Sequence, residues 1–280
     1  MIKREFEKSY TERFGPNFVR ELTEKICTHY NDYIRVNTLK ISVADLKKRL
    51  ENRGFRFKMF NNIPYALRVM EEPFSISSTP EYLLGYFYVQ DGASMMPVIA
   101  LDPKKEDLIL DSCGAPGGKC SHISQLMNND GVIVSLDIDR KRLKSQLFNL
   151  QRLGVKNVAT FLLDAKQVRK IGILFDKVLV DPPCSASGVI WKEKKRLKSI
   201  SKQQVEKYSK IQKDILTSSV KTLKHEGLIV YSTCSIEAEE NEENVNFAEK
   251  ELGLKCLKSE YFFPQVNNTH GFFYALMRKI

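Results

Sequence analysis

The chain has 280 residues, of which 42% are hydrophobic, enough for one large packed domain or a domain with a small appendage, and too many for a disordered chain. No apolar run approaches the roughly 18 residues that cross a bilayer, and no signal-like segment follows the basic start, so a protein with no membrane association is expected, cytoplasmic by default. The net charge of +10 is uneven: residues 1–80 hold 15 Lys/Arg against 10 Asp/Glu, 81–139 hold 3 against 9, 140–213 hold 19 against 5, and 214–280 hold 7 against 10. Two basic regions flank an acidic one, a distribution that suits a polyanionic substrate such as nucleic acid.

In chain order, Phe6 to Tyr30 reads as two short helices broken at Gly15-Pro16, and Tyr33 to Asn37 as a strand. A helix over Ser42 to Asn52 follows, which Ser42 can cap and Gly54 can end. Short extended pieces near Phe55-Arg56-Phe57 and Ala66 to Val69 complete a small βαββ unit, and Pro73 to Pro80, rich in Ser and Pro, reads as a linker. A small N-terminal α+β domain over 1–80 is therefore expected, followed by a second domain over 81–280. There, strands at 108–112, 131–136, 157–162, 175–180 and 226–232 alternate with helices at 119–128, 139–153, 201–224 and 237–249, the pattern of a doubly wound parallel sheet. Leu254 to Phe263 and Gly271 to Arg278 read as an antiparallel edge hairpin, which points to the methyltransferase variant of a Rossmann-like α/β fold.

The strand at 108 runs into Cys113-Gly114-Ala115-Pro116-Gly117-Gly118-Lys119, a turn unobstructed by side chains at its glycines. Asp137 ends the next strand, at about the distance beyond the turn where an acid hydrogen-bonds a ribose. That acid serves NAD or S-adenosylmethionine equally well, and Asp164 adds a carboxylate able to read an adenine amine. Asp111, Asp137 and Asp164 thus stand at three successive strand ends.

Two further strands run into Asp181-Pro182-Pro183-Cys184-Ser185 and Ser232-Thr233-Cys234-Ser235, which places both thiols at carboxyl ends of strands, where open α/β sheets hold their ligands. Six cysteines beside apolar strands are expected to be reduced, and with neither a CxxC nor an HxxxH pair no metal site is expected. The acidic stretch Glu237 to Glu243 reads as a solvated helix start favoured by the helix dipole.

These motifs resemble those of the S-adenosylmethionine-dependent RNA cytosine-5 methyltransferases. Asp111 to Lys119 is similar to that family's cofactor loop, Asp181 to Ser185 to its base-contact motif, and Tyr231 to Ser235 to its nucleophile motif. Glu239 to Glu242, Gly271-Phe272-Phe273 and Arg35 to Thr38 extend the resemblance over nearly the whole chain. The resemblance implies a class I methyltransferase that modifies carbon 5 of cytosine through a covalent adduct. Cys234 would attack carbon 6, Cys184 would assist release, and Asp181 would hydrogen-bond the base at N3 and its amino group. Cofactor contacts would be Cys113, Gly114, Ala115, Pro116, Gly117, Gly118, Lys119, Asp137, Arg142, Asp164 and Asp181. The short archaeal tRNA enzymes are the most similar members, implying tRNA as substrate with ribosomal RNA as the alternative, and a monomer without a protein partner is expected.

The sequence departs from the family at Gly114, where alanine is common, at Cys120, where threonine is frequent, and at Ala186, where glycine usually follows the Cys184-Ser185 pair. Lacking glycine's access to positive φ, Ala186 is expected to send that loop along a different path. The run Trp191 to Lys198 is unusually basic. The competing readings are a non-catalytic RNA-binding factor, an amino-group methyltransferase and a nicotinamide dehydrogenase. Retention of both thiols argues against the first and third, and Cys184, in place of a base-stacking aromatic, against the second. RNA binding by the front domain is expected to use Arg35, Arg53 and Arg56.

Overall fold

The computed structural model describes residues 4–26, 28, 30–60, 63–189 and 200–280. Two helices open the chain, α1 (Arg4–Phe14) and α2 (Phe18–Ile26). They pack not on the small sheet but on the far end of the chain: Phe6, Tyr10, Phe18 and Leu22 share an apolar cluster with Ile200, Val205 and Ile236. Phe14 and Phe18 meet Phe263 edge to face.

A four-stranded antiparallel sheet follows, β1 (Tyr33–Val36), β2 (Arg56–Phe60), β3 (Ile63–Glu71) and β4 (Phe87–Val89), in the order β2-β3-β1-β4. Helix α3 (Val43–Glu51) covers it, capped by Ser42, whose side chain accepts from the Asp45 N–H. The expected linker holds a 3-10 turn over Ile76–Ser78 and leads into the short helix α4 (Pro80–Leu83). Because β4 pairs with β1 through Ile34↔Val89 and Val36↔Phe87, this sheet extends past residue 80, where the sequence suggested a boundary.

The second sheet has seven strands in the order β10-β11-β9-β8-β5-β6-β7. β5 (Leu108–Asp111), β6 (Val132–Asp137), β7 (Val158–Leu162), β8 (Phe175–Val180) and β9 (Leu223–Thr233) are parallel. β10 (Leu254–Phe262) and β11 (Phe272–Lys279) form the antiparallel edge hairpin. Alternate residues of β5, β6, β8 and β9 enter opposite apolar layers: Leu110, Val134, Val178 and Ile229 in one, Ile109, Ile133, Leu179 and Val230 in the other. Both faces are covered, so the strands are near-continuous apolar runs. Helices α5 (Gly92–Leu101) and α6 (Gly118–Leu126) supply one layer, and α8 (Lys202–Val220) the other.

Helix α7 (Arg140–Leu153) joins β6 to β7, and α9 (Glu242–Glu251) precedes the hairpin, whose strands are joined by α10 (Pro264–Asn267). No helix among the described residues is long and apolar enough to cross a membrane. The chain winds outward from β5 in one direction through β6 and β7, then returns to place β8 on the other side of β5. The crevice at the carboxyl ends of β5 and β8 is therefore the switch point of the sheet, where such folds bind ligands.

Candidate active site

Three cavities meet at that switch point, and Asp181 lines all of them. The largest, about 610 Å³, runs between the ends of β5, β6 and β8 and is lined by Cys113, Asp137, Ile138, Arg142, Asp164, Asp181, Cys184 and Cys234, among others. A second, about 240 Å³, lies under the turn from Cys113 to Lys119 and includes Asp111 and Tyr88. The third, about 230 Å³, opens beside both thiols and is lined by Lys119, Asp181, His270 and Phe272.

The glycine turn follows from local geometry. Gly117 caps α6 at φ +102°, a conformation that strains any residue with a Cβ. A Cβ on Gly114 would lie 2.0 Å from Ser135 Oγ and 2.9 Å from Gln146 Nε2. The glycine that departs from the family pattern is thus required by the Ser135–Gln146 hydrogen bond packed against it. Burial, reinforced by the Asp111 carboxylate, raises the Cys113 and Cys120 thiol pKa well above the usual range, which disfavours their thiolates.

Three acids at the strand ends have distinct settings, Asp137 and Asp164 on the larger cavity and Asp111 on the second. Asp137 is buried; its Oδ1 accepts from the Asp139 N–H at 2.8 Å, while Oδ2 has no hydrogen bond among the described residues and lies 3.4 Å from Arg142 Nη1. An oxygen left open on a buried carboxylate fits a pair of ribose hydroxyls. Arg142 also donates to the Ala115 carbonyl, which ties α7 to the glycine turn. Asp164 caps the following 3-10 turn, accepting from the Lys166 N–H at 3.0 Å, and still faces the cavity. Asp111 is buried with no hydrogen bond of good geometry to either carboxylate oxygen, and burial, reinforced by the charge of Asp181, pushes its pKa up to about 7.

Asp181 joins the two halves of the site. Its Oδ2 takes a 2.6 Å ion pair from Lys119, at the start of α6, and its Oδ1 accepts from Ser232 at the end of β9 at 2.7 Å. Lys119 also lies 5.2 Å from the centre of the Phe272 ring, so its charge belongs to the cavity beside the thiols as much as to the glycine turn.

Cys184 and Cys234 stand with their sulfurs 2.8 Å apart, after β8 and β9 respectively. The hydrogen bond to Cys234, together with burial, holds the Cys184 pKa well above the usual thiol range, so Cys184 keeps its proton. The two loops are laced together below the sulfurs. Ser185 and Ser187 lie 3.2 and 3.0 Å from Ser235 Oγ, Ser187 Oγ accepts from the Ile236 N–H at 3.0 Å, and the Gly188 N–H reaches the Cys234 carbonyl at 3.0 Å. Gly188 and Gly271 sit back to back, joined by a 2.9 Å backbone bond, and a Cβ on Gly188 would lie 2.1 Å from the Gly271 carbonyl oxygen.

Some sequence expectations fail here. Ala186 does not divert its loop: it adopts φ +56°, the left-handed conformation that a glycine would supply. The surrounding hydrogen bonds offset the roughly 1–2 kcal/mol this costs a residue with a Cβ. Glu237 to Glu243 is a solvated helix start only at Glu242 and Glu243, in the first turn of α9, whereas Glu237 and Glu240 are 2% and 0% exposed. Glu240 accepts from the Ser185 N–H at 3.0 Å and from Ser185 Oγ at 3.0 Å, and Glu237 accepts from Tyr10 at 2.5 Å. Arg35 offers nothing to RNA: it is buried and donates to Gln90, Gln125 and Ser121, fastening β1 to α6. Arg53 is half engaged with Glu81, and Arg56 is exposed. The basic run Trp191 to Lys198 lies outside the described residues.

Helix α1 also reaches this site. Arg13 donates to the Ile236 carbonyl at 2.8 Å, two residues after Cys234, and pairs with Glu242 at 2.9 Å. Contacts spanning more than 220 residues leave no local sequence signal, although buried acids next to a nucleophile motif would have been the one available hint.

Comparison with known proteins agrees with this geometry. A 28S rRNA (cytosine-C(5))-methyltransferase of Mus musculus is 36% identical over 275 residues, covering 88% of this chain and 35% of the mouse protein. A tRNA (cytosine(72)-C(5))-methyltransferase of Pyrococcus horikoshii is 37% identical over 222 residues, covering 74% of this chain and 56% of the relative. The chain thus spans between about a third and somewhat over half the length of these relatives. A solved methyltransferase homolog from P. horikoshii superposes with a TM-score of 0.90 at 36% identity, covering 99% of this chain and 95% of that one. The solved NSun6 of the same organism superposes with a TM-score of 0.92 at 27% identity, covering 99% and 98%. The family model described as 16S rRNA methyltransferase RsmB/F matches residues 98–278, and the chain belongs to the RsmB/F methyltransferase family.

Proposed function

We propose that this protein transfers a methyl group from S-adenosylmethionine to carbon 5 of cytosine in RNA. The observation that carries the reading is the pair of thiols 2.8 Å apart beside Asp181, at the switch point of a methyltransferase sheet. The pocket fits the cofactor: Asp137 offers a buried oxygen with no hydrogen bond among the described residues, on a cavity of about 610 Å³ that Asp164 and Arg142 also line. Asp137, Arg142, Asp164 and the turn from Cys113 to Lys119 would hold S-adenosylmethionine, which supplies an electrophilic methyl group.

Carbon 5 of cytosine is too electron-poor to take that methyl unaided. A bond from Cys234 Sγ to carbon 6 turns carbon 5 into an enamine-like nucleophile. Asp181, held by Lys119 and Ser232, accepts from the amino group and, carrying a proton, delivers it to N3, which neutralises the negative charge that thiolate addition places on the ring. Once carbon 5 carries the methyl, loss of its proton to water re-forms the C5–C6 double bond and expels Cys234 as a thiolate. Cys184, which keeps its proton, donates to that leaving sulfur.

The substrate we infer is tRNA, supported by the relative named for tRNA at 37% identity, and the RNA-binding unit is the front α+β unit, with exposed Lys48 and Arg49 on α3 and Arg56 and Lys58 on β2. Ribosomal RNA is favoured by the family description and the mouse relative. The protein acts without a metal and as a monomer in this reading. Bisulfite sequencing of tRNA and rRNA from cells with and without the protein tests it: a cytosine that loses protection only in tRNA supports the reading, one in rRNA transfers the activity to that substrate, and none refutes it.

A further inference from the structure

We propose that Glu240 is a positioning residue that fixes Cys184 for release of the methylated adduct, with a much smaller effect on the attack by Cys234. The inference rests on the reading above. Glu240 is fully buried, and no Lys or Arg pairs with it among the described residues. A side chain that only filled space there would not carry a charge, since burying an unpaired carboxylate is costly. Its carboxylate bears mainly on one residue: both oxygens face the Ser185 N–H, at 3.0 and 3.2 Å, and Oε2 also accepts from Ser185 Oγ at 3.0 Å, while the side chains of Ser235 and Gln212 also support its charge. Ser185 follows Cys184 directly, so the carboxylate sets where the turn carries the thiol. Bonds of this kind to a charged acceptor are about twice as strong as neutral ones.

The hydrogen bonds to Glu240 favour the Cys184 side. The Cys234 loop has its own fastenings, Thr233 Oγ1 to the Ser235 N–H at 3.2 Å, Asn241 Nδ2 to the Ser235 carbonyl at 2.9 Å, and Arg13 to the Ile236 carbonyl. Glu240 is anchored independently of its carboxylate, because its carbonyl accepts from Tyr231 at 2.6 Å and from Asn244 at 3.1 Å. Removing the charge therefore loosens Cys184 more than Cys234, whose loop keeps these other fastenings.

The test measures first-turnover methyl transfer and the fraction of protein in an RNA complex that survives denaturing electrophoresis, for wild type, Glu240→Gln, Ser185→Ala and Cys184→Ala. Glu240→Gln keeps the shape and one acceptor, and Ser185→Ala removes a donor from the other side should the first variant fold poorly. Glu240→Gln is expected to methylate in the first turnover within about twofold of wild type, to turn over roughly 10-fold or more slowly, and to accumulate the complex, with Ser185→Ala showing the same pattern more weakly. Equal loss of first and later turnovers, or wild-type turnover without complex, would overturn the inference while Cys184→Ala still accumulates complex. Absence of complex from Cys184→Ala would overturn the mechanism itself, and the inference with it.

Discussion

Replacing Asp111 by Asn tests whether the strand end beneath the glycine turn stores an electrostatic cost. In the folded protein burial raises the Asp111 pKa from 3.8 to about 7, so its neutral form is favoured on folding. The contribution to stability is fully present below pH 3.8 and is lost as pH rises through about 7. Between pH 5 and pH 8 about two of the three pKa units remain to be lost, worth about 2–3 kcal/mol at 1.36 kcal/mol per unit. An Asn cannot ionise and leaves its buried amide no worse satisfied than the neutral acid. Urea denaturation of both proteins at pH 5 and pH 8 should therefore show Asp111→Asn gaining about 2–3 kcal/mol on wild type across that interval. A difference between the two proteins that does not change with pH would refute the reasoning. The charge that weakens the free protein is complementary to the cationic centres of S-adenosylmethionine, so the same variant is expected to bind it more weakly.

Other perturbations address separate links. S-adenosylmethionine should raise the melting temperature by mass action where NAD does not, and Asp137→Ala should diminish that shift; stabilisation by NAD alone would contradict the cofactor reading. Arg13→Ala removes the bond to the Ile236 carbonyl and is expected to lower kcat several-fold with little change in KM for RNA, whereas an effect confined to KM would place α1 in substrate binding instead. Neutralising Lys194, Lys195 and Arg196 together should flatten the dependence of RNA affinity on salt, and an unchanged slope would mean that this run makes no phosphate contacts.

The parallel sheet was legible because its strands are apolar on both faces and its helices begin at polar caps such as Ser201 and Asp139. The motifs at Cys184 and Cys234 were legible for the same reason, since each follows such a strand. Helix α5 was not foreseen: GASMMPVIAL is apolar almost throughout and shows no helical stripe, because the helix is buried between the two sheets. β4 has three residues and its pairing with β1 is set by tertiary contact. The acids at Glu237 and Glu240 have the pattern of a solvated first turn, and only the serines and Tyr10 brought from distant segments make them internal. Ala186 shows the converse, a residue that adopts an unfavourable conformation because a network around it over-determines the loop.

The central claim is covalent catalysis by Cys234 with release assisted by Cys184. It is tested most directly by incubating Cys184→Ala, Cys234→Ala and the double variant with substrate RNA and S-adenosylmethionine and resolving them under denaturing conditions. The account predicts a protein–RNA complex from Cys184→Ala alone, with Cys234→Ala inactive yet still binding RNA and cofactor. A complex from Cys234→Ala, or full methylation by that variant, would contradict it.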